Sequence, residues 1–228
     1  MNSLIQIGKK YPTSKNISGF MELYESFFKD YKDKNINILE IGVDNGDSLR
    51  VWREYFTKAK ICGIDIIKKD FKIPNVEILC GNQTDPIFLN SVVNKYKNFD
   101  IIIDDGSHIS KDIIFTFNYL FKFLNNEGLY IVEDLQTSYI RRYGGSRINL
   151  TKKKTSMNFI KNLTDSINYE HDDKPFFSKN PFDGKIKFIN FFQNIAFIKK
   201  GESNKYFYPS PKKKNFLDIL KKFISLFY

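Results

Sequence analysis

Five side chains able to do chemistry close two apolar runs. In IIIDDGSHIS (residues 101–110), three isoleucines lead into Asp104 and Asp105, then a glycine, a serine and His108, one of only two histidines in the chain. In LYIVED (residues 129–134), the run closes on Glu133 and Asp134. A strand that stops at an Asp-Gly turn explains the turn, but not a doubled carboxylate followed by a histidine. If the two runs are neighbouring strands, four carboxylates share one mouth and repel one another unless a cation neutralises them. Carboxylate oxygens suit a hard divalent ion, Mg2+ first, with Mn2+ or Ca2+ as alternatives. No cysteine stands beside them, which argues against structural zinc. A histidine side chain, with a pKa of ~6.5 when unperturbed, can take a proton near neutral pH, which makes His108 a candidate base. A metal ion makes an alcohol more acidic, so the set describes a hydroxyl deprotonated by His108 while a group is delivered to it in line. His171, in NYEHDDK, reads as a loop histidine.

A second group of residues describes a cofactor. The stretch LEIGVDNGDS sets Glu40, Gly42 and Gly46 in an E-x-G-x-x-x-G pattern at the end of another apolar run. The glycines allow a sharp turn and close approach of a ligand. Their spacing is not that of a dinucleotide fingerprint, and Asp44 and Asp47 would repel a diphosphate. The sulfonium and ammonium of S-adenosylmethionine tolerate that acidity. Asp65 ends the next apolar run, CGIDI, where a carboxylate can accept the hydroxyls of a ribose. Asn82 and Gln83, in CGNQTD, stand where an adenine edge can be read.

Such residues need a scaffold that gathers strand ends. Apolar runs of strand length at residues 36–43, 60–66, 76–82, 99–105 and 129–134 alternate with amphipathic stretches at 47–59, 84–96 and 110–124, the last closed by NNEG. A further amphipathic stretch at 18–32 precedes them, with Phe20, Leu23, Tyr24, Phe27 and Tyr31 at helical spacing. Alternation of this kind predicts a parallel sheet covered on both faces, with ligands beyond the carboxyl ends of its strands. Residues 135–184 lack clean periodicity. Residues 185–201 then read as an antiparallel hairpin turning at Gln193-Asn194. The expectation is an α/β, Rossmann-like class I methyltransferase: a mostly parallel seven-stranded sheet, a terminal antiparallel hairpin and helices on both faces.

Length and charge set further bounds. The 228 residues predict one domain with a sizeable core. Residues 151–228 carry 16 Lys/Arg against 7 Asp/Glu, so nearly all of the +10 net charge lies there. A basic patch of that kind meets an anionic partner or is a solvated surface. Cys62 and Cys80 are expected to be buried, reduced thiols. The opening residues do not read as a signal peptide, and no run reaches the ~20 apolar residues of a membrane span, so a cytoplasmic location is expected. Residues 215–228 predict an amphipathic, basic helix that docks on the core, pairs subunits in a homo-oligomer or lies on a membrane surface.

The run ILEIGVDNGDSLRVWREYF…ICGIDI…GNQTDP…FDIIIDDGSH…GLYIVEDL resembles the Mg2+-dependent sugar O-methyltransferases of macrolide biosynthesis, the macrocin and mycinamicin type; similar sequences occur in bacterial surface-glycan clusters. The likeness spans roughly residues 8–135, with a weaker echo at 185–201. It implies that Asp105, Glu133 and Asp134 hold the metal and that His108 is the base. It also implies that Glu40, Gly42, Ser48, Asp65 and Gln83 line the S-adenosylmethionine pocket, with Asp104 near its methionine end. KKYPTSKN is similar to the family's K-Y-G-T-D-K segment, which folds over the active site; Pro12 and Ser14 depart from it, so roles for Thr13 and Lys15 stay open. Asn82 stands where an aspartate is usual, and Asp47 replaces a glycine.

The implied substrate is a sugar hydroxyl on a nucleotide sugar, a glycoside or a surface polysaccharide. Residues 135–184 are expected to build the acceptor site, with Tyr139, Arg141, Arg142 and Tyr143 as candidates. Two other readings compete. A nucleic-acid methyltransferase is prompted by the positive charge, but DDGSH occupies the place of the Asn-Pro-Pro-aromatic run of base-modifying members, and its carboxylates repel phosphate. A non-catalytic partner that keeps the fold only to bind is opposed by the intact base and metal set.

Overall fold

In the computed structural model, residues 2–148, 151, 154–169 and 180–202 are described. Seven strands form one sheet in the order β3-β2-β1-β4-β5-β7-β6. They are β1 (Asn37–Ile41), β2 (Lys60–Asp65), β3 (Val76–Cys80), β4 (Phe99–Asp104), β5 (Leu124–Val132), β6 (Ile186–Phe192) and β7 (Ile195–Lys200). β1 to β5 run parallel, while β7 pairs antiparallel with both β5 and β6. The seven-stranded α/β sheet and its terminal hairpin are as expected, and Asn194 makes the hairpin turn with φ 65°.

The apolar runs have no polar alternation because both faces are covered. On one side Ile38, Ile101, Ile103, Ile131 and Phe197 pack under α1 (Leu4–Gly8), α3 (Phe20–Phe28) and α4 (Asp47–Tyr55), in a cluster that includes Tyr24, Phe28 and Trp52. On the other, Leu39, Ile102, Tyr130 and Val132 meet α5 (Pro86–Tyr96), α6 (Ser110–Leu120) and α7 (Ser156–Ile167) through Leu89, Phe117 and Ile160. Between α1 and α3 lies the four-residue α2 (Ser14–Ile17), whose N-terminus is capped by the Thr13 side chain. Asp85 caps α5 ahead of Pro86, the start that its sequence signals.

The structure differs from the sequence reading at three places. The NNEG stretch does not end α6, which stops at Leu120 before a 3-10 turn at Phe121–Phe123. It lies within β5, where pairing jumps from Phe99↔Leu124 to Ile101↔Leu129, so the extra residues bulge out of the ladder. The irregular segment contains α7, whose Thr155 side chain accepts from Asn158 N and whose Ile160 and Leu163 are buried. Its cap and its spacing of Ile160, Leu163 and Ile167 were the available signals; the preceding lysine run masks them. Cys62 is buried as expected, but Cys80 is exposed, because β3 is the edge of the sheet. His171 and the helix expected at 215–228 fall outside the described residues. Among the described residues, no helix is long and apolar enough to cross a membrane.

Candidate active site

Register brings the polar residues together. Ile41, Asp104 and Val132 are side by side on β1, β4 and β5. The ladder continues one step past them, with Asp105 N donating to Ile41 O at 2.9 Å and Glu133 N to Asp104 O at 3.0 Å. Gly42, Asp105 and Glu133 therefore form one row at the sheet's carboxyl edge, where strand order reverses around β1 and β4. His108 and Asp134 follow in left-handed backbone conformations, φ 58° and 53°, which non-glycine residues rarely adopt. Those turns point their side chains back over the row.

Asp105, His108 and Asp134 each offer a ligand atom, and these atoms lie within 4.8 Å of one another. His108 Nε2 is 3.4 Å from Asp134 Oδ2. Glu133, expected to complete the metal set, is not in this group. Its buried carboxylate accepts Lys15 Nζ at 2.6 Å and the Tyr24 hydroxyl. Asp105 joins the two halves, since its Oδ2 also accepts Lys15 Nζ at 2.6 Å. The carboxylate oxygens of this set fit a hard divalent ion such as Mg2+, with the imidazole beside them left to act on a proton.

Lys15 is 2 % exposed and sits within 3.6 Å of Glu40 as well. Burial works against its charge, yet Asp105, Glu133 and Glu40 together hold its pKa well above the usual lysine range. Burial, then the charge of Asp105, pushes Glu133 up against the opposing pull of Lys15. Glu40 rises to about 7, chiefly from burial.

Two connected hollows flank the row. A cleft of about 520 Å³ is lined by Thr13, Lys15, Ser48, Asp105, His108 and Asp134 among others. A neighbouring cavity of about 270 Å³ is lined by Ile66, Asn82, Gln83 and Ser107, and Gly42, Asp65 and Gly106 belong to both. The glycine pattern supplies the turn between β1 and α4. Gly46, φ 78°, closes it with an N–H to Val43 O at 2.7 Å and shapes the wall rather than lining it. Ser48 donates to Glu40 Oε2 at 3.0 Å, and Trp52 Nε1 donates to the same oxygen at 3.1 Å. Glu40 Oε1 and His108 Nδ1 are buried without a hydrogen-bond partner. Glu40 Oε1, with Lys15 Nζ 3.6 Å away, keeps an unused acceptor position behind the cleft that fits a cationic ligand such as the ammonium of S-adenosylmethionine.

Several expected contacts are already engaged. Asp65 Oδ2 accepts Val43 N at 2.9 Å, its Oδ1 accepts Ile67 N at 2.8 Å, and Lys69 Nζ lies 3.0 Å away. Burial opposes the Asp65 charge, but these donors outweigh it and hold its pKa below the usual carboxylate value. Gln83 donates to Asp104 Oδ1 at 3.2 Å and Thr116 Oγ1 at 3.1 Å, and accepts Ser107 N at 2.8 Å, so its amide braces the β4 turn. Asn82 Oδ1 accepts Thr84 N at 2.9 Å. Asp104, expected near the methionine end, lines neither hollow; it is buried beneath them against Gln83 and Tyr130, and burial pushes its pKa to about 7.

Two residues of the site lie outside the set read from sequence. Tyr24 looked like one more apolar position of α3, and nothing local marks its hydroxyl for Glu133. Lys15 was visible only through the resemblance of KKYPTSKN. From the acceptor candidates, the Tyr143 ring stands edge-on to His108 at 6.4 Å between centroids, with the Arg142 guanidinium 4.7 Å from the Tyr143 centroid.

No protein-family model matches the chain. It is 35% identical over 193 residues to the 8-demethyl-8-alpha-L-rhamnosyl tetracenomycin-C 2'-O-methyltransferase of Streptomyces olivaceus, covering 81% of this chain and 50% of that protein. It is 32% identical to the mycinamicin VI 2''-O-methyltransferase of Micromonospora griseorubida, over 88% of this chain and 53% of that protein. With the demethylmacrocin O-methyltransferase of Streptomyces fradiae, identity is 33% over 87% and 53%. The fold superposes on MycE, a methyltransferase of the mycinamycin biosynthetic pathway solved in complex with Mg and SAH, with a TM-score of 0.86 at 30% identity, covering 97% of this chain and 60% of MycE. The chain spans about half the length of the curated relatives it matches. Over the part it shares with them, the chain is similar to the macrocin- and mycinamicin-type sugar O-methyltransferases, and its fold is that of a class I methyltransferase.

Proposed function

We propose that the protein transfers the methyl group of S-adenosylmethionine to a sugar hydroxyl, with a divalent ion, Mg2+ first, and with His108 as the general base. The observation that carries this reading is the grouping of Asp105, His108 and Asp134 within 4.8 Å at the end of a cleft bounded by the Gly42 turn. When bound there, the ion raises the acidity of the acceptor hydroxyl. The chain's own residues do the rest. His108 takes the hydroxyl proton, and Asp134, 3.4 Å from Nε2, steadies the imidazolium that results. Asp65, Ser48 and the Gly42–Gly46 turn would seat the cofactor, with Asn82 and Gln83 toward its adenine and Glu40 toward its ammonium. Glu133 would join Asp105 and Asp134 in holding the ion.

The acceptor is held by the segment 135–184 in this reading. The position of Tyr143 beside His108 and the guanidinium of Arg142 over it support that role. The acceptor is a sugar on a nucleotide, a glycoside or a surface glycan; two relatives are named for an L-rhamnosyl tetracenomycin C and for mycinamicin VI, and the charge of residues 151–228 favours an anionic carrier. The test is a screen of nucleotide sugars and rhamnosides with methyl-labelled S-adenosylmethionine and Mg2+. Product NMR reads the modified oxygen; methyl transfer to RNA but to no sugar overturns the proposal.

A further inference from the structure

The buried ammonium of Lys15 has no part in the proposed reaction. It reaches Asp105 Oδ2 and Glu133 Oε1 at 2.6 Å each, the two carboxylates that flank the row from β4 and β5. A divalent ion bridging the same two groups would approach those oxygens to ~2.1 Å. An ion on those oxygens would stand within roughly 4 Å of the ammonium in a buried site, where like charges repel strongly. We propose that Lys15 is a tethered competitor of the divalent ion, so that ion binding and seating of the Ser14–Ile17 helix exclude one another. This rests on the reading of Asp105 and Glu133 as ion-binding groups.

The structure also indicates which partner yields. Glu133 is anchored by the Tyr24 hydroxyl, and the Tyr24 ring is wedged between Phe28, Trp52 and Phe197. Asp105 is fixed by its backbone bond to Ile41. Lys15 rides on a single turn of helix that ends in Ile17, 92 % exposed. Besides the Lys15 ammonium, α2 is tied down by Asn16 Nδ2, which donates to Gly8 O and Tyr11 O. When the ammonium leaves, the wall formed by Thr13, Ser14 and Ile17 leaves with it, and the cleft that they line opens. The segment thus shields the carboxylates without the ion and uncovers them with it.

The test is Mn2+ binding, followed by electron paramagnetic resonance, to the wild-type chain, Lys15→Met and Lys15→Arg. Removing a bound competitor raises apparent affinity by the fraction it blocked, so Lys15→Met is expected to bind at least about tenfold more tightly, and Lys15→Arg no more tightly than wild type. Equal or weaker binding by Lys15→Met overturns the proposal and gives Lys15 a supporting role instead. No Mn2+ binding by any of the three overturns the metal reading and this proposal together. A measurement on the wild type alone guards against a variant that fails to fold. Backbone hydrogen exchange across residues 9–19 is expected to rise when Mg2+ replaces EDTA, and exchange that stays equal or falls counts against the competition.

Discussion

A methyl group built onto Gly42 would lie 2.1 Å from the carbonyl oxygen of Asp105. The turn after β1 and the turn after β4 touch there, backbone against backbone, and Gly42 lines both hollows. Gly42 also has φ 90°. A Gly42→Ala chain must therefore push the two strand ends apart as well as accept a strained backbone. We expect a loss of at least ~2 kcal/mol in urea unfolding, together with loss of the calorimetric signal for S-adenosylhomocysteine. Wild-type stability with intact cofactor binding would show that the turns are not held in contact.

His108 should matter for the reaction and not for the cofactor. Removal of a general base costs on the order of 10²–10⁴ in rate, so His108→Ala is expected to lose that much in kcat. Its affinity for S-adenosylhomocysteine should stay within about twofold of wild type, because the proposed role of the ring is toward the acceptor hydroxyl. An alanine variant with undiminished turnover would remove His108 from the mechanism.

Metal removal separates the ion from the fold. EDTA-treated protein should lose methyl transfer and regain it with Mg2+, while its far-ultraviolet circular dichroism is unchanged, since the core lies in the two apolar layers. Asp134→Asn should weaken the response to Mg2+ by roughly tenfold or more. Full activity in EDTA would rule out a divalent ion in the reaction.

Glu40 gives a pH signature of stability. Its folded pKa of about 7 lies above the unfolded value of ~4.3. The folded chain then holds more protons than the unfolded one between those values, so this group's contribution is full below the unfolded pKa and is lost as pH rises through 7. In cofactor-free protein, stability should fall by about 3–4 kcal/mol over that range on account of Glu40. Glu40→Gln should flatten this part of the profile in urea titrations at successive pH values. An identical slope in wild type and variant would place the carboxylate's proton affinity elsewhere.

Much of this molecule is legible from local pattern. Runs such as FDIIID are apolar on both faces, and only a covered parallel strand accommodates that. The positions of Asp105, Glu133 and Asp134 at the ends of such runs place them at the sheet's carboxyl edge before any coordinates are known. The NNEG bulge misleads because glycine and asparagine punctuate helices and strands alike. α7 escapes because its cap and short apolar stripe sit beside a lysine run.

The sheet, the row of strand ends and the chemical kinds gathered there follow from side-chain period and from residues adjacent in the chain. How the charges are shared depends on contacts between distant parts of the fold. Asp104 turned inward to Gln83, Glu133 parted from Asp134, and Lys15 arrived from 118 residues away in sequence to lie between carboxylates. Hydrophobic burial fixes where a strand ends, but the orientation of the carboxylate at its tip is set by whichever donor is within reach, and in this fold those donors come from distant parts of the chain.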